Sequence, residues 1–215
     1  MKNLRVRPFA YFFFALFSLT FVGMALATGT SVNDLESALK TAYKAIPIII
    51  LIWIGFAGYA WKWPIFKGWL VPFPNLDGTW EGTIQTTWAD ADGNVPRPIP
   101  VILTIRHTFG RVSCVMRTAE MSSWSYLADF WLDTDEQIRK LGYSYTSSPR
   151  VTVQARSNAH DGTMVFEIIG DPTSKLKGIY WTTRQTTGEV TLTKRCNERL
   201  DDFPEDMGKH PMSGK

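Results

Sequence analysis

The chain has 215 residues, 23 Lys and Arg against 20 Asp and Glu, and a formal charge of +3. Seven of the basic residues and only two acids fall within residues 1–67, so the remainder carries −2, which excludes a basic head built for long nucleic acid. Two cysteines, Cys114 and Cys196, exclude a disulfide-dense secreted scaffold and fit reduced thiols, with a single disulfide as the alternative.

Phe9–Ala27 is 19 residues without a charge, and Ala45–Trp61 is 17 more, bracketed by Lys44 and Lys62. A bilayer core takes about 20 apolar residues as a helix. Residues 1–63 therefore predict two transmembrane helices, at about 9–27 and 45–62. Arg5 and Arg7 precede the first run, Lys62 and Lys67 follow the second, and Lys40 and Lys44 lie between. This modest positive-inside bias puts both termini in the cytoplasm. The alternative is a signal peptide cut near Ala25-Leu26-Ala27; the chain after Lys62 is cytoplasmic on either reading. With no charge inside the runs, neither an ion relay nor a charged filter is indicated. Trp61, Trp63 and Trp69 fit an interfacial aromatic belt. Gly23 with Ala27, and Gly55, Ala57, Gly58 and Ala60, form small-residue patches that let helices approach.

Pro64, Pro72 and Pro74 break the helix and predict a stiff tether over 64–76. From Asp77 the pattern has period 2 with frequent turn signals. Strands are predicted at Thr79–Trp88, Ile99–His107, Arg111–Thr118, Ser123–Leu132, Ile138–Thr146, Met164–Ile169, Leu176–Gln185 and Glu189–Arg195, with a short extra piece at Val151–Ala155. Turns are marked by Asp92-Gly93-Asn94, Gly110, Ser148-Pro149, Asp161-Gly162, Asp171-Pro172 and Thr187-Gly188. The fold class that follows is two N-terminal transmembrane helices and then an all-β, roughly eight-stranded antiparallel barrel over 77–196. A sandwich is the other packing, and short hairpin turns favour the barrel. Residues 197–215 are polar and rich in Pro and Gly, which predicts a mobile tail.

Alternation separates the faces of each strand. Trp80, Gly82, Ile84 and Trp88 share the expected interior face, as do Val101, Leu103 and Ile105. Near the end, Gly178, Tyr180, Thr182 and Arg184 lie on one face, and Ile179, Trp181 and Thr183 on the other. If the first set points inward, a guanidinium and a phenol sit in or at the mouth of the barrel. A buried Arg needs an anion. Asp129, Asp133 or Glu167 could supply it within the chain; a ligand phosphate or carboxylate could supply it from outside, and a forked guanidinium suits either. Tyr and Trp faces would stack on a base.

Catalytic and metal signatures are not apparent. His107, His160 and His210 lack metal-like spacing, no glycine-rich phosphate loop or nucleophile elbow occurs, and His160-Asp161 reads as turn chemistry. The expectation is a non-enzymatic protein without metal or cofactor.

Four stretches carry a resemblance: Leu76-Asp77-Gly78-Thr79-Trp80-Glu81-Gly82, Leu141-Gly142-Tyr143-Ser144-Tyr145, His160-Asp161-Gly162-Thr163, and Gly178-Ile179-Tyr180-Trp181-Thr182-Thr183-Arg184-Gln185-Thr186-Thr187-Gly188. With the two-helix layout, the chain up to Arg195 resembles the two-transmembrane, β-strand-rich effectors of bacterial cyclic-oligonucleotide anti-phage signalling (CBASS). The resemblance implies a cytoplasmic barrel that binds a cyclic dinucleotide made by a partner nucleotidyltransferase. It further implies homo-oligomerisation, disruption of the inner membrane through its lipid, and death of the infected cell. Tyr180, Thr182, Arg184, Tyr145 and Trp124 are the expected ligand contacts, chosen from face and chemistry. Two other readings stand beside this one: a membrane-tethered, lipocalin-like barrel for an apolar small molecule, and a structural anchor with a side-chain-filled core.

Overall fold

The computed structural model describes residues 6–30, 34–89, 93–133, 135–154 and 157–212. Lys2 and Arg5, Asp92 of one predicted turn, Ala155 of the short extra piece and the last three tail residues lie outside the described residues. The chain divides into two compact units between Phe73 and Pro74.

The first unit contains α1 (Val6–Thr28) and α2 (Leu35–Gly58), both long and apolar enough to cross a membrane. α2 begins ten residues before its uncharged run. The Asp34 carboxylate accepts from the Ser37 amide at 2.9 Å as an N-cap, and Lys40 pairs with Glu36 one turn apart. The helices pack through aromatic rings. Phe13 meets Trp53 at 5.0 Å between centroids, Phe12 meets Phe56 at 5.7 Å and Phe9 meets Trp53 at 6.3 Å. The glycines do not serve this contact: a Cβ at Gly23, Gly55 or Gly58 would meet nothing within 4 Å.

The expected aromatic belt loses one member. Trp61 is buried and packs edge-on against Phe73, whereas Trp63 and Trp69 are exposed. The proline-rich stretch up to Phe73 is folded rather than extended. It makes 3-10 turns at Ala60–Lys62 and Pro64–Phe66, sets Phe66 against Phe56, and buries Leu70 and Val71.

The second unit is a closed barrel of β1 (Gly78–Thr86), β2 (Ile99–Thr108), β3 (Arg111–Arg117), β4 (Met121–Asp133), β5 (Ile138–Pro149), β6 (His160–Ile169), β7 (Lys175–Thr182) and β8 (Thr187–Cys196). Each strand pairs antiparallel with the next, and β8 closes on β1. The meander therefore prevails over the sandwich. Ser148-Pro149 and Thr187-Gly188, expected as turns, lie inside β5 and β8, where Ser148 pairs with Ser122 and Gly188 with Tyr180, and three further details change. His160-Asp161-Gly162 is the start of β6 and not a turn, because Gly162 pairs with Tyr145 and His160 with Ser147. The seventh strand ends at Thr182, where the chain turns through Gln185 at φ +61°. The extra piece is a 3-10 turn at Val151–Val153.

One end of the barrel is filled. Trp80, Leu103, Ile105, Leu141, Phe166, Leu176 and Leu192 are fully buried there. Asp77 ties that end together. Its carboxylate takes two bonds from Arg199 at 3.0 Å each and accepts from the His107 amide at 2.9 Å, while Lys194 donates to its carbonyl. Trp80 Nε1 donates to the Leu76 carbonyl at 3.0 Å, and Lys194 lies over the Trp80 ring. Gly78 holds φ +116°, a backbone region that favours glycine. The Leu76–Gly82 stretch is thus a base-closing device.

The chain after Cys196 lies along the outside of β1 and β2. Thr79 Oγ1 donates to the Glu198 carbonyl at 2.7 Å, and Thr104 Oγ1 donates to the Leu200 carbonyl at 2.8 Å. The Leu200 amide donates to Thr79 Oγ1 at 2.9 Å, and Arg195 bridges Glu81 and Asp206. The stretch expected as a mobile tail therefore has fixed partners as far as Asp206.

Candidate functional site

The other end of the barrel is an open cavity of about 200 Å³. Its floor is apolar, with Ile84, Ile99, Met116 and Met164 from four strands. Its rim is polar, and the β7–β8 turn supplies much of it. Thr182 organises that turn: its hydroxyl lies 2.6 Å from Thr186 Oγ1 and accepts from the Arg184 amide at 3.2 Å. The turn projects Arg184 over the cavity, where Nη1 donates to Ser157 Oγ at 3.1 Å and Nη2 stands 3.5 Å from His160 Nε2.

None of the acids considered from sequence pairs with Arg184. Glu167 faces Lys140 at 3.9 Å, Asp129 accepts from its neighbouring Phe130 amide, and Asp133 accepts from the Asp135 and Glu136 amides. Among the described residues the polar contacts of Arg184 are neutral groups, so its charge faces the cavity without a carboxylate to balance it.

Two tyrosines complete this side. Tyr145 and Tyr180 point inward and each covers a glycine on the strand it pairs with. A Cβ on Gly162 would lie 2.5 Å from the Tyr145 hydroxyl, and one on Gly188 would lie 2.6 Å from the Tyr180 ring. Glycine there lets each ring lie flat against the wall. Burial, reinforced by the neighbouring Tyr180, pushes the Tyr145 phenol up. Burial also raises Tyr180, opposed by its bond with Thr86 and by Arg184. Both therefore stay protonated at neutral pH and can donate to an anion. Burial draws His160 below the ordinary imidazole range, and the Arg184 charge adds to that against the Asn158 carbonyl and Asp161.

Four of the five residues expected from sequence, Tyr145, Tyr180, Thr182 and Arg184, thus converge on one cavity. Trp124 does not. Ser123 points inward, so period 2 turns Trp124 outward, paired with Val115 and Thr146 and 48% exposed. It is exposed on the outside of the barrel, as are Leu127 on β4 and Ile179 and Trp181 on β7. The sequence reading put Trp88 on the interior face without naming it as a contact, and missed Glu120, His160 and His210 in the lining. Parity with Gly162 was a usable signal for His160; for the Glu120–His210 contact, 90 residues apart in the chain, there was none.

A family model described as "Cap15, cyclic dinucleotide receptor domain" matches residues 71–194. A relative from Staphylococcus schleiferi, "CD-NTase-associated protein 15", is 28% identical over 149 residues, covering 69% of this chain and 76% of the relative. The matched span holds β1 to β7, β8 as far as Lys194, and every wall of the cavity except its C-terminal one. With two apolar helices ahead of a closed eight-stranded barrel, and with most of its length under one family model, the chain belongs to the Cap15 cyclic dinucleotide receptor family, within the CBASS-associated group that its sequence resembles.

Proposed function

We propose that the barrel binds a cyclic dinucleotide at its open mouth and that binding gathers chains in the inner membrane. The observation that carries this reading is Arg184, a guanidinium held over a cavity with no carboxylate among its contacts. It would take a phosphate of the ligand, with the Tyr145 and Tyr180 hydroxyls as further donors. The apolar floor would receive one base while the second rests on the rim near Trp88. On this reading the protein works by binding rather than catalysis. The ligand comes from a partner nucleotidyltransferase, and the barrel sits in the cytoplasm.

The same proposal extends to the membrane. Ligand-bound barrels associate, their helices cluster, and the inner membrane is disrupted, killing the infected cell. Gly23, Gly55 and Gly58 support this, since they face open space within one chain and would admit a neighbouring helix. Ile179 and Trp181, both exposed on the outside of β7, support barrel association.

The test is calorimetry on the full-length chain in nanodiscs with a panel of 3′,3′-linked cyclic dinucleotides. At least one should bind, and Arg184→Ala should weaken it by about 10²-fold, the loss of a charge-assisted contact of ~2–3 kcal/mol. Absence of heat with every member would reject the reading. The lipocalin-like alternative requires Arg184 outside the cavity or ion-paired, and its position on the rim counts against that reading. A lipid retained by the purified chain, found by mass spectrometry, would revive it.

A further inference from the structure

The inward side chains of β5 shrink toward the mouth, in the order Leu141, Tyr143, Tyr145, Ser147. On β4 the residues paired with Tyr145 and Ser147 are Ser125 and Ser123. Ser123 and Ser147 stand opposite each other in the ladder, both line the cavity, and they are only 7% and 2% exposed. The same level of the wall continues on either side, since Met116 on β3 pairs with Ser123 and His160 on β6 pairs with Ser147. Four neighbouring strands thus present a thioether, two hydroxyls and an imidazole side by side, and the imidazole stands beside Arg184. Adjacent strands lie about 4.8 Å apart. Ser123 and Ser147 are therefore one and two strand spacings from the residue that neighbours the guanidinium, a reach comparable to that from a nucleotide's phosphate across its ribose to its base.

The three serines are not equivalent. Ser125 Oγ serves the fold, accepting from the Cys114 amide at 2.8 Å. Ser123 Oγ meets the Met116 carbonyl only at 3.5 Å, beyond the usual range for a hydroxyl donor. The Ser147 hydroxyl has no hydrogen-bond partner among the described residues, although the residue is almost wholly buried. Its bonding capacity is turned toward whatever fills the cavity.

We infer that Ser123 and Ser147 read the polar edge of the base that enters the cavity, and so set which cyclic dinucleotide is preferred. This subsite rests on the cyclic-dinucleotide reading. Each hydroxyl can donate one hydrogen bond and accept two, so the pair suits an edge that presents donors and acceptors together, as nucleobases do. Met116 and Met121 line the cavity on either side of Ser123 and offer thioethers to the base's face. An aliphatic ligand would leave both hydroxyls buried against a group that cannot bond them. The division of labour is then clear. Arg184 takes the phosphate common to every cyclic dinucleotide, and the two serines distinguish the bases.

The experiment measures, on the full-length chain in nanodiscs, the affinity of the tightest-binding member of the cyclic dinucleotide panel and, by competition, that of the other members. Ser147→Ala should weaken the tightest member about tenfold, the upper end for one neutral hydrogen bond, and the others less than about twofold. Ser123→Ala should act in the same direction by about threefold. Arg184→Ala should weaken all members by a similar factor and keep their ranking. Urea unfolding of the ligand-free chain separates a binding role from a structural one. Removing a hydroxyl that has no partner should leave the Ser147→Ala midpoint unchanged or raised. A lowered midpoint would assign Ser147 to the fold and overturn the inference. Unchanged affinity in both serine variants, or an equal loss across the panel, would also overturn it while leaving the proposed function standing. No binding by the unaltered chain would overturn both.

Discussion

At the residue scale, His160 links the cavity to pH. Its imidazole stands beside Arg184, and burial followed by that charge holds its pKa below the ordinary value of 6.5, against the Asn158 carbonyl and Asp161. The unfolded chain therefore takes up this proton first as pH falls. The contribution to stability is flat above about pH 6.5, falls as pH drops toward the folded pKa, and levels below it. An anion bound at Arg184 reverses the balance by stabilising the imidazolium. Ligand affinity should then rise about two- to fivefold between pH 7.5 and 6.0, with net proton uptake on binding. Calorimetry in two buffers of different ionisation enthalpy measures that uptake. A His160→Asn chain should lose it; equal uptake in both chains would place the titrating group elsewhere.

At the element scale, glycines fix how the strands meet. Gly82 on β1 pairs with Leu192 on β8, and a Cβ there would fall well inside contact distance of the Thr191 carbonyl. Because the obstacle is backbone, Gly82→Ala should cost about 2–3 kcal/mol in urea unfolding followed by Trp fluorescence. A change below about 0.5 kcal/mol, the size of an indifferent surface substitution, would argue against this register. Period 2 made the barrel legible: Trp80, Leu103 and Tyr180 fall on the inner face because parity alone decides it. Parity also carried Arg184 to the rim, although β7 ends two residues earlier and the turn held by Thr182 does the placing. The same rule turns Trp124 outward beside the inward Ser123, so choosing it for the site went against parity. Asp161-Gly162 looked like a turn because local propensity cannot show that Gly162 lies beneath Tyr145 on the neighbouring strand. Helix boundaries suffered similarly. The uncharged run marks the apolar core of α2, whereas the Asp34 cap starts the helix a further ten residues back.

At the scale of the whole molecule, the proposed switch needs a ligand that prefers associated chains, since equal affinity for dispersed and associated forms moves no population. Converting a 1:99 balance to 99:1 takes about 10⁴-fold preference, more than one weak contact supplies. The outer face of the barrel offers Leu127, Ile179 and Trp181, all on the side opposite the cavity lining, so a ligand at the mouth must act through the strands that carry both faces. Tyr180 and Thr182 alternate with Ile179 and Trp181 along β7, so on the proposed reading that strand is the one to test as the link between the two faces. Sedimentation of the full-length chain in detergent micelles should show a rise in assembly mass on adding the cyclic dinucleotide that binds. Arg184→Ala should abolish the rise by removing binding. Trp181→Glu should abolish it while calorimetric affinity stays within about threefold, because its side chain never meets the cavity. An unchanged mass at saturating ligand would sink ligand-driven association, and an undiminished rise with Trp181→Glu would move the contact to another face of the barrel or into the helices, where Gly55 and Gly58 stand open.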